Sequence, residues 1–180
     1  MVEEARLEET PGGLAPASDG WFTVNVRDAM WITHEKFGAG CRFESPKANF
    51  PELGINIRVL QPGQPCAMYH RESNQEDFLV LSGECVLLVE EQERHLGPWD
   101  FVHFPPNTTH VVVGAGDGPC VVLMAGARDP EEELMYPASE LAQRHGAGVE
   151  RDTPSEVEAY AGQPARELGR PDRWEELPWS

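Results

Sequence analysis

Short apolar segments, several of them alternating with polar residues, follow one another along the middle of this chain. The segment LGINIRVL alternates most cleanly: its isoleucines and valine share one face, and Asn56 and Arg58 share the other. Further strands are predicted over WFTVNV (21–26), WITHEKF (31–37), CAMYHRE (66–72), DFLVLSG (77–83), ECVLLVEEQERHL (84–96), FVHF (101–104), HVVVGAG (110–116) and CVVLMAGA (120–127). No helical period separates them, so the pattern predicts an all-β antiparallel sandwich or barrel rather than βαβ units.

The two ends of the chain differ in character from this middle part. Residues 1–20 are acidic and rich in Gly and Pro, and we expect a flexible N-terminal segment there. Residues 21–128 hold the predicted strands, and residues 129–180 read as a C-terminal arm with too little apolar content for a core of its own.

The C-terminal arm carries two helix signals and two late tryptophans. One short helix is predicted over 138–145, ended by Gly146, and a second follows Thr153 as its N-cap. Trp174 and Trp179 stand in an otherwise polar tail. Because aromatic side chains in a polar tail gain most by burial, we expect this tail to dock on the barrel.

Two predicted strands, Phe78–Leu81 and Cys120–Met124, are apolar on both faces. The outer face of a small barrel normally meets water, so something must cover these strands. A second subunit or the C-terminal arm would serve, and we predict a homodimer.

Charge and cysteine usage limit the possible partners and compartment. The chain has 31 acidic and 14 basic residues, a formal charge of −17, which argues against nucleic acid or an anionic membrane as partner. Its four cysteines have no metal-type or redox-type spacing and fall mostly in apolar runs, as expected of reduced thiols in a cytoplasmic protein. Neither a secretion signal nor a membrane-spanning run is recognisable.

The candidate chemistry is concentrated in HRESNQEDFLVLSG, residues 70–83. His70 and Glu72 are two residues apart, so on a strand both side chains leave the same face. Glu76 follows after a short polar turn, and His110 comes later, in PPNTTHVVV. Nitrogen and carboxylate ligands of this kind suit one divalent transition metal, Fe, Mn, Ni or Zn. The alternative is ordinary surface polar residues around a hairpin.

Arg58 is the candidate for substrate contact. Together with Asn56 it alternates against the apolar face of its strand. It therefore projects either into the barrel cavity, where it would clamp a carboxylate or phosphate, or onto an exposed edge. His34 has no potential ligand close by in the sequence, and we assign it to packing or the surface.

Two motifs in these segments resemble those of the cupin superfamily. The first cupin motif places two histidines, a glutamate and a closing glycine at fixed spacing, and His70, Glu76 and Gly83 match three of these. The second motif is matched by Pro105 and His110, with an Asn where cupins have Gly. The departure is Glu72, which stands in place of the second histidine.

The resemblance implies a double-stranded β-helix, the cupin jelly-roll barrel, with a metal between its sheets. His70, Glu76 and His110 would bind the metal, and Glu72 would be a fourth ligand, a catalytic base beside it or a solvent-facing residue. Cupins include metal-dependent enzymes, among them oxygenases and isomerases or lyases, and also non-catalytic small-molecule binding modules. We favour an enzyme acting on a small polar molecule, similar to non-haem iron dioxygenases in its ligand set.

Overall fold

The computed structural model describes residues 1–180, which form fourteen strands, two short α-helices and one 3₁₀ turn. The strands are β1 Leu7–Thr10, β2 Gly13–Pro16, β3 Met30–His34, β4 Gly38–Arg42, β5 Leu53–Leu60, β6 Arg71–Glu72, β7 Glu76–Ser82, β8 Glu84–Val89, β9 Gln92–Leu96, β10 Phe101–Phe104, β11 His110–Ala115, β12 Cys120–Ala127, β13 Leu134–Met135 and β14 Glu167–Leu168. The helical elements are α1 Glu140–Arg144, α2 Glu156–Ala159 and the 3₁₀ turn Trp174–Glu176. No helix in the structure has the length and apolar character needed to cross a membrane.

Two antiparallel sheets make the barrel. The large sheet has the order β10-β7-β12-β5-β4-β3-β14, and the small sheet has the order β11-β8-β9. Backbone hydrogen bonds between Cys66 and Val112 and between His70 and His110 attach the chain before β6 to the edge of the small sheet. This is the predicted all-β double-stranded β-helix, and the absence of parallel crossovers follows from strands joined by short turns.

The main core lies where the inner faces of the two sheets meet. Its members come from both sheets, among them Leu60, Val80 and Val122 of the large sheet and Val111 of the small one. Helix α1 adds Leu141 and Ala142 to the same cluster, so the C-terminal arm is part of the packed structure. The rest of the inner face is polar, and that part forms the candidate site.

The outer face of the large sheet carries one apolar row that crosses six strands. The strand register places its members opposite one another in the order Phe101, Leu79, Leu123, Ile57, Cys41 and Trp31. At the Trp31 end the tail folds over the row: the Trp31 ring lies 5.8 Å from that of Trp174 and 5.5 Å from that of Trp179. Leu177 is buried in the same cluster. The expected docking of the tail is therefore observed, on the same chain.

Several predicted strands are confirmed, CAMYHRE (66–72) forms a strand only at Arg71–Glu72, and one prediction is wrong. LGINIRVL forms β5, and the long ECVLLVEEQERHL run divides at Glu90 and Glu91, both with positive φ, into the hairpin β8–β9. Trp21–Val26 is not a strand. Its Val24 and Val26 pack against the outer-face cluster from a loop, so its β-branched residues serve packing rather than a ladder.

The predictions for the two ends of the chain differ from the structure in two respects. Residues 1–20, expected to be flexible, contain the hairpin β1–β2, and Leu14 N–H donates to the Asp28 carbonyl to join it to the barrel. The second arm helix is capped by Ser155, whose Oγ accepts from Glu158 N–H, and not by Thr153. Thr153 instead exchanges backbone hydrogen bonds with Tyr136, which starts the helix two residues later than predicted. The domain boundaries at residues 20 and 128 stay a prediction.

Candidate metal centre

Backbone pairing brings His70 and His110 side by side at one end of the small sheet. His70 N–H donates to the His110 carbonyl at 3.2 Å, and His110 N–H donates to the His70 carbonyl at 2.8 Å. Their ring centroids lie 5.4 Å apart. Glu76 is the first residue of β7, in the facing sheet, so the third side chain approaches across the barrel. In the sequence, a short turn separates His70 from Glu76, and the strands β7 to β10 separate Glu76 from His110. The fold brings the three residues together.

The loop before His110 is anchored on β6. Asn107 occupies the position where the cupin motif has Gly, and it adopts the left-handed conformation with φ of 68°. Its N–H donates to the Glu72 carbonyl at 2.6 Å, which fixes the loop beside the first motif. Asn is among the residues that accept this conformation most readily, so the substitution keeps the turn.

Both histidines present the same nitrogen to the centre. His70 Nδ1 lies 2.7 Å from the Met68 carbonyl oxygen, and His110 Nδ1 lies 3.0 Å from the Thr108 carbonyl oxygen. A carbonyl oxygen only accepts hydrogen bonds, so each Nδ1 carries a proton. In the neutral ring the lone pair is then on Nε2, which is the arrangement that metal-binding histidines require.

Two carboxylates meet these Nε2 atoms. Glu72 Oε1 lies 3.2 Å from His70 Nε2, and Glu76 Oε2 lies 3.2 Å from His110 Nε2. One ligand atom each from His70, Glu72 and Glu76 fall within 4.8 Å of one another. Ligands bound about 2.1 Å from one ion lie about 3 to 4 Å apart, so these three atoms need only small adjustments to share a metal. His110 is outside this group of three, although its Nε2 atom lies 3.2 Å from Glu76 Oε2.

His110 is held rigidly and its Nε2 atom is unsatisfied. The Phe104 ring stacks on the imidazole at 3.8 Å, and the Phe78 ring meets it edge-on at 5.4 Å. The residue is 2% exposed, and Nε2 is buried without an aligned hydrogen-bond partner. A buried polar atom without a partner carries a free-energy cost that a bound ion would remove. The residues present therefore fit a metal.

Ionic contacts shift the pKa values of this cluster. Burial alone would lower the pKa of His70, but the hydrogen bond with Glu72 and the charges of Glu76 and Glu72 outweigh it, and the net shift is upward. Burial would raise the pKa of Glu72, and the hydrogen bonds with His70 and Glu132 reverse that shift. Burial raises the pKa of Glu132, and its hydrogen bond with Glu72 and the Glu72 charge raise it further, to about 7. The outer carboxyl, Glu132, therefore holds a proton more readily than an isolated glutamate.

A cavity of about 210 Å³ opens from this cluster into the barrel. His70, Glu76 and His110 line it, together with Arg58 and Asn56. Of the two alternatives left open by the sequence for these β5 residues, the cavity and an exposed edge, the structure shows the cavity. Glu72 does not line it: this carboxylate contacts His70 from the side of β13 and Glu132. A base facing the substrate is therefore not the role that its position favours, and a ligand or an orienting group is.

The lining residues that were not assigned to the cavity from the sequence include four with polar side-chain groups: His34, Arg42, Tyr160 and Arg166. His34 accepts from Lys36 N–H at Nδ1, 3.0 Å away, and so faces the cavity as a neutral ring. Burial lowers its pKa, and this outweighs the hydrogen bond with the Pro164 carbonyl. Tyr160 Oη accepts from Met68 N–H at 3.1 Å. Two of the four, Tyr160 and Arg166, come from the C-terminal arm. No local motif predicts a contact between the arm and a cavity that is so distant in sequence.

A family model supports the reading of the two motifs. Residues 56–126 match the model described as "Cupin domain". No curated protein sequence matches the chain.

One solved structure supports the same fold. The polyketide cyclase RemF from Streptomyces resistomycificus is 14% identical, covers 62% of this chain and 83% of that chain, and superposes with a TM-score of 0.54. A sugar phosphate isomerase of the cupin superfamily from Silicibacter pomeroyi is 26% identical, with 58% of this chain and 66% of that chain covered and a TM-score of 0.48.

A protein from Acidithiobacillus ferrooxidans is 29% identical, with 46% of this chain and 55% of that chain covered and a TM-score of 0.45. The present chain thus spans less than two thirds of the length of the Silicibacter and Acidithiobacillus proteins.

Proposed function

We propose, from the premise that this chain carries a cupin domain of the cupin superfamily, that it is a metal-dependent enzyme acting on a small polar molecule in the barrel cavity. The observation that carries the proposal is the buried Nε2 of His110, which faces Glu76 and has no aligned hydrogen-bond partner. Two histidines with Nδ1 fixed by carbonyl oxygens and a carboxylate from the opposite sheet make a ligand set for one divalent transition metal, Fe, Mn, Ni or Zn.

His70, Glu76 and His110 would hold the metal, with Glu72 as a fourth ligand. The metal would supply Lewis acidity, or with iron a site for oxygen chemistry, at the floor of the cavity. Glu132 would stay outside the ligand set. In its protonated form it would donate a hydrogen bond to Glu72, and this bond would keep the Glu72 carboxylate oriented toward His70. Phe104 and Phe78 would keep the His110 ring from rotating.

Two reaction types fit this ligand set. Two histidines and one carboxylate, with open positions facing a cavity, suit a non-haem iron oxygenase. Four protein ligands around a redox-inert metal suit an isomerase or lyase, in which the metal polarises a substrate oxygen. In both, Arg58 would orient the substrate from β5.

The test begins with chelator-treated protein that is reloaded separately with Fe, Mn, Ni or Zn. Oxygen uptake by the iron form with a panel of small hydroxy acids, keto acids and sugars tests the oxygenase. Exchange of substrate C–H for deuterium in heavy water, followed by proton NMR, tests the isomerase or lyase. The His110→Ala variant serves as control in both. Tight metal binding with neither activity across the panel would favour a binding module instead.

A further inference from the structure

We propose that Arg42, Arg58 and Arg166 form an anion subsite in the barrel cavity, which binds the carboxylate or phosphate group of a small hydroxylated substrate. This names the substrate class of the site proposed above. It rests on that proposed function only in treating the bound molecule as a substrate. The arginines come from three parts of the chain: β4, β5 and the arm segment just before β14.

The strand order and the register of the large sheet determine where the subsite lies. Glu76 is on β7, and β5 and β4 are the second and third strands from it. Strands lie about 4.8 Å apart and successive residues of a strand about 3.3 Å apart. The register places Arg58 level with Val80 and Arg42 level with Phe78, so the backbones of both arginines lie roughly 16 Å from that of Glu76. Gly40 on β4 leaves room for the Arg58 side chain, because a Cβ atom there would lie 2.9 Å from Arg58 Nη1. Because the three arginines and Glu76 line one cavity, a small molecule bound to the arginines can reach the candidate metal centre.

No salt bridge neutralises the positive charge of these arginines, and Glu44 is the acidic neighbour that favours the charged form of Arg42. None of the three forms a salt bridge, although the chain has a formal charge of −17. Arg58 donates from Nη2 to the carbonyl oxygens of Phe37 and Cys66, which orient it without cancelling its charge. Burial lowers the pKa of Arg58, and the neighbouring charges of Arg166 and Arg42 lower it further. Holding like charges together costs free energy that a bound anion would offset.

The same cavity has a place for a hydroxyl group. Asn56 Oδ1 is buried and has no hydrogen-bond partner, so it is free to accept from an alcohol. The Tyr160 phenol lines the cavity nearby. The volume of about 210 Å³ corresponds to about seven water molecules. This space is large enough for a small hydroxy acid or a short phosphate ester.

Charge balance at the other end explains why separate arginines are needed. A divalent metal bound by Glu72, Glu76 and two neutral histidines has a local charge near zero, so it attracts an anion weakly. Without the metal the two carboxylates repel anions. Anion affinity should therefore rise when the metal is present, and metal and anion binding should be linked.

The test uses the full chain, treated with chelator, in calorimetric titrations at constant ionic strength. The probes are inorganic phosphate, glycolate and the uncharged ethylene glycol. The variants are Arg42→Met, Arg166→Met and Arg58→Met, with Arg151→Met as matched control, since Arg151 is an exposed arm residue outside the cavity. The side chains of Arg42 and Arg166 make no hydrogen bond or salt bridge, so their replacement should leave the fold intact even if Arg58→Met unfolds.

We expect saturable one-to-one binding of phosphate or glycolate and none of ethylene glycol. Arg42→Met and Arg166→Met should each weaken binding roughly tenfold, as expected for loss of a charge-assisted contact, and Arg151→Met should not change it. Binding of phosphate alone or glycolate alone supports the subsite and identifies the anion class. Two results would overturn it. One is no saturable binding of either anion, and the other is binding by Arg42→Met and Arg166→Met that is as tight as binding by the native chain.

A parallel Mn²⁺ titration separates this result from the proposed function. If Mn²⁺ binds and neither anion does, the subsite is wrong and the metal site stands. If anions bind through the arginines and no metal does, the subsite stands and the metal-dependent function fails. If both bind, the phosphate or glycolate affinity should be higher with Mn²⁺ present, and a lower affinity would contradict the charge argument.

Discussion

Nε2 of His110 lies 3.2 Å from Oε2 of Glu76, across the gap between the small and large sheets. These two atoms are close enough to share one ion, yet they are not aligned for a hydrogen bond. A contact of this kind needs both sheets folded and correctly registered. The candidate metal centre is therefore a product of the whole barrel, and a bound metal should raise the stability of the native state.

Glu72 should matter less for metal binding than the two histidines. It is the residue that departs from the cupin motif, and it contacts His70 from outside the cavity. We expect Glu72→Gln to weaken metal affinity about 10- to 100-fold, as for loss of one ligand or of a group that orients one. Competition of the reloaded protein with a fluorescent chelator measures this, with the exposed Glu133→Gln as control. Unchanged metal affinity would mean that Glu72 is neither a metal ligand nor a group that orients one.

The docked tail should contribute measurably to stability. Leu177 is 3% exposed and packs with Trp31 in the outer-face cluster. Truncating a buried leucine usually costs about 2 to 5 kcal/mol, and the lower end applies here because a terminal segment can relax. Urea unfolding of Leu177→Ala should show a loss of about 2 kcal/mol. Val157→Ala, at an 84% exposed site on α2, should change stability by less than about 0.5 kcal/mol. Equal effects of the two variants would contradict this packing.

We propose a homodimer formed at the uncovered end of the outer-face row. The tail covers this row at Trp31, whereas Phe101 at the other end is 63% exposed on β10, an edge strand. Trp99, beside it, is 74% exposed. An unpaired edge with exposed aromatic side chains is a common site of self-association.

Light scattering should therefore report about twice the chain mass of 20.0 kDa. Phe101→Lys should shift the protein toward the monomer, and Leu168→Lys, at an exposed site on β14 at the opposite edge of the sheet, should not. A monomer at all micromolar concentrations would exclude the dimer.

Local patterns predicted the strands and the motif residues well. β5 was recognisable because its alternation reflects two different environments, the tail-covered outer face and the polar cavity. Trp21–Val26 has strand-like composition, but only Trp21 pairs, with Glu4 in an isolated bridge, and its valines pack from a loop. The β1–β2 hairpin was missed because its acidic, Gly- and Pro-rich sequence is typical of unstructured segments.

The cavity was only half predicted, for a physical reason. His70, Glu76 and His110 follow spacings set by short turns, which a sequence displays directly. Arg166 and Tyr160 enter the cavity because the arm pairs with β3 through β14 and folds over the barrel. That contact depends on packing between distant segments, and no local periodicity encodes it.

The most direct test of the account is elemental analysis of tag-free protein reloaded with a single metal and freed of excess. The comparison is among the native chain, His110→Ala, His70→Ala and His95→Ala, the last an exposed histidine on β9 outside the cluster. Circular dichroism confirms that each variant is folded. We predict close to one metal per chain in the native protein and in His95→Ala, and a loss of most metal in the other two. Full metal content in His110→Ala would contradict the assignment of the centre.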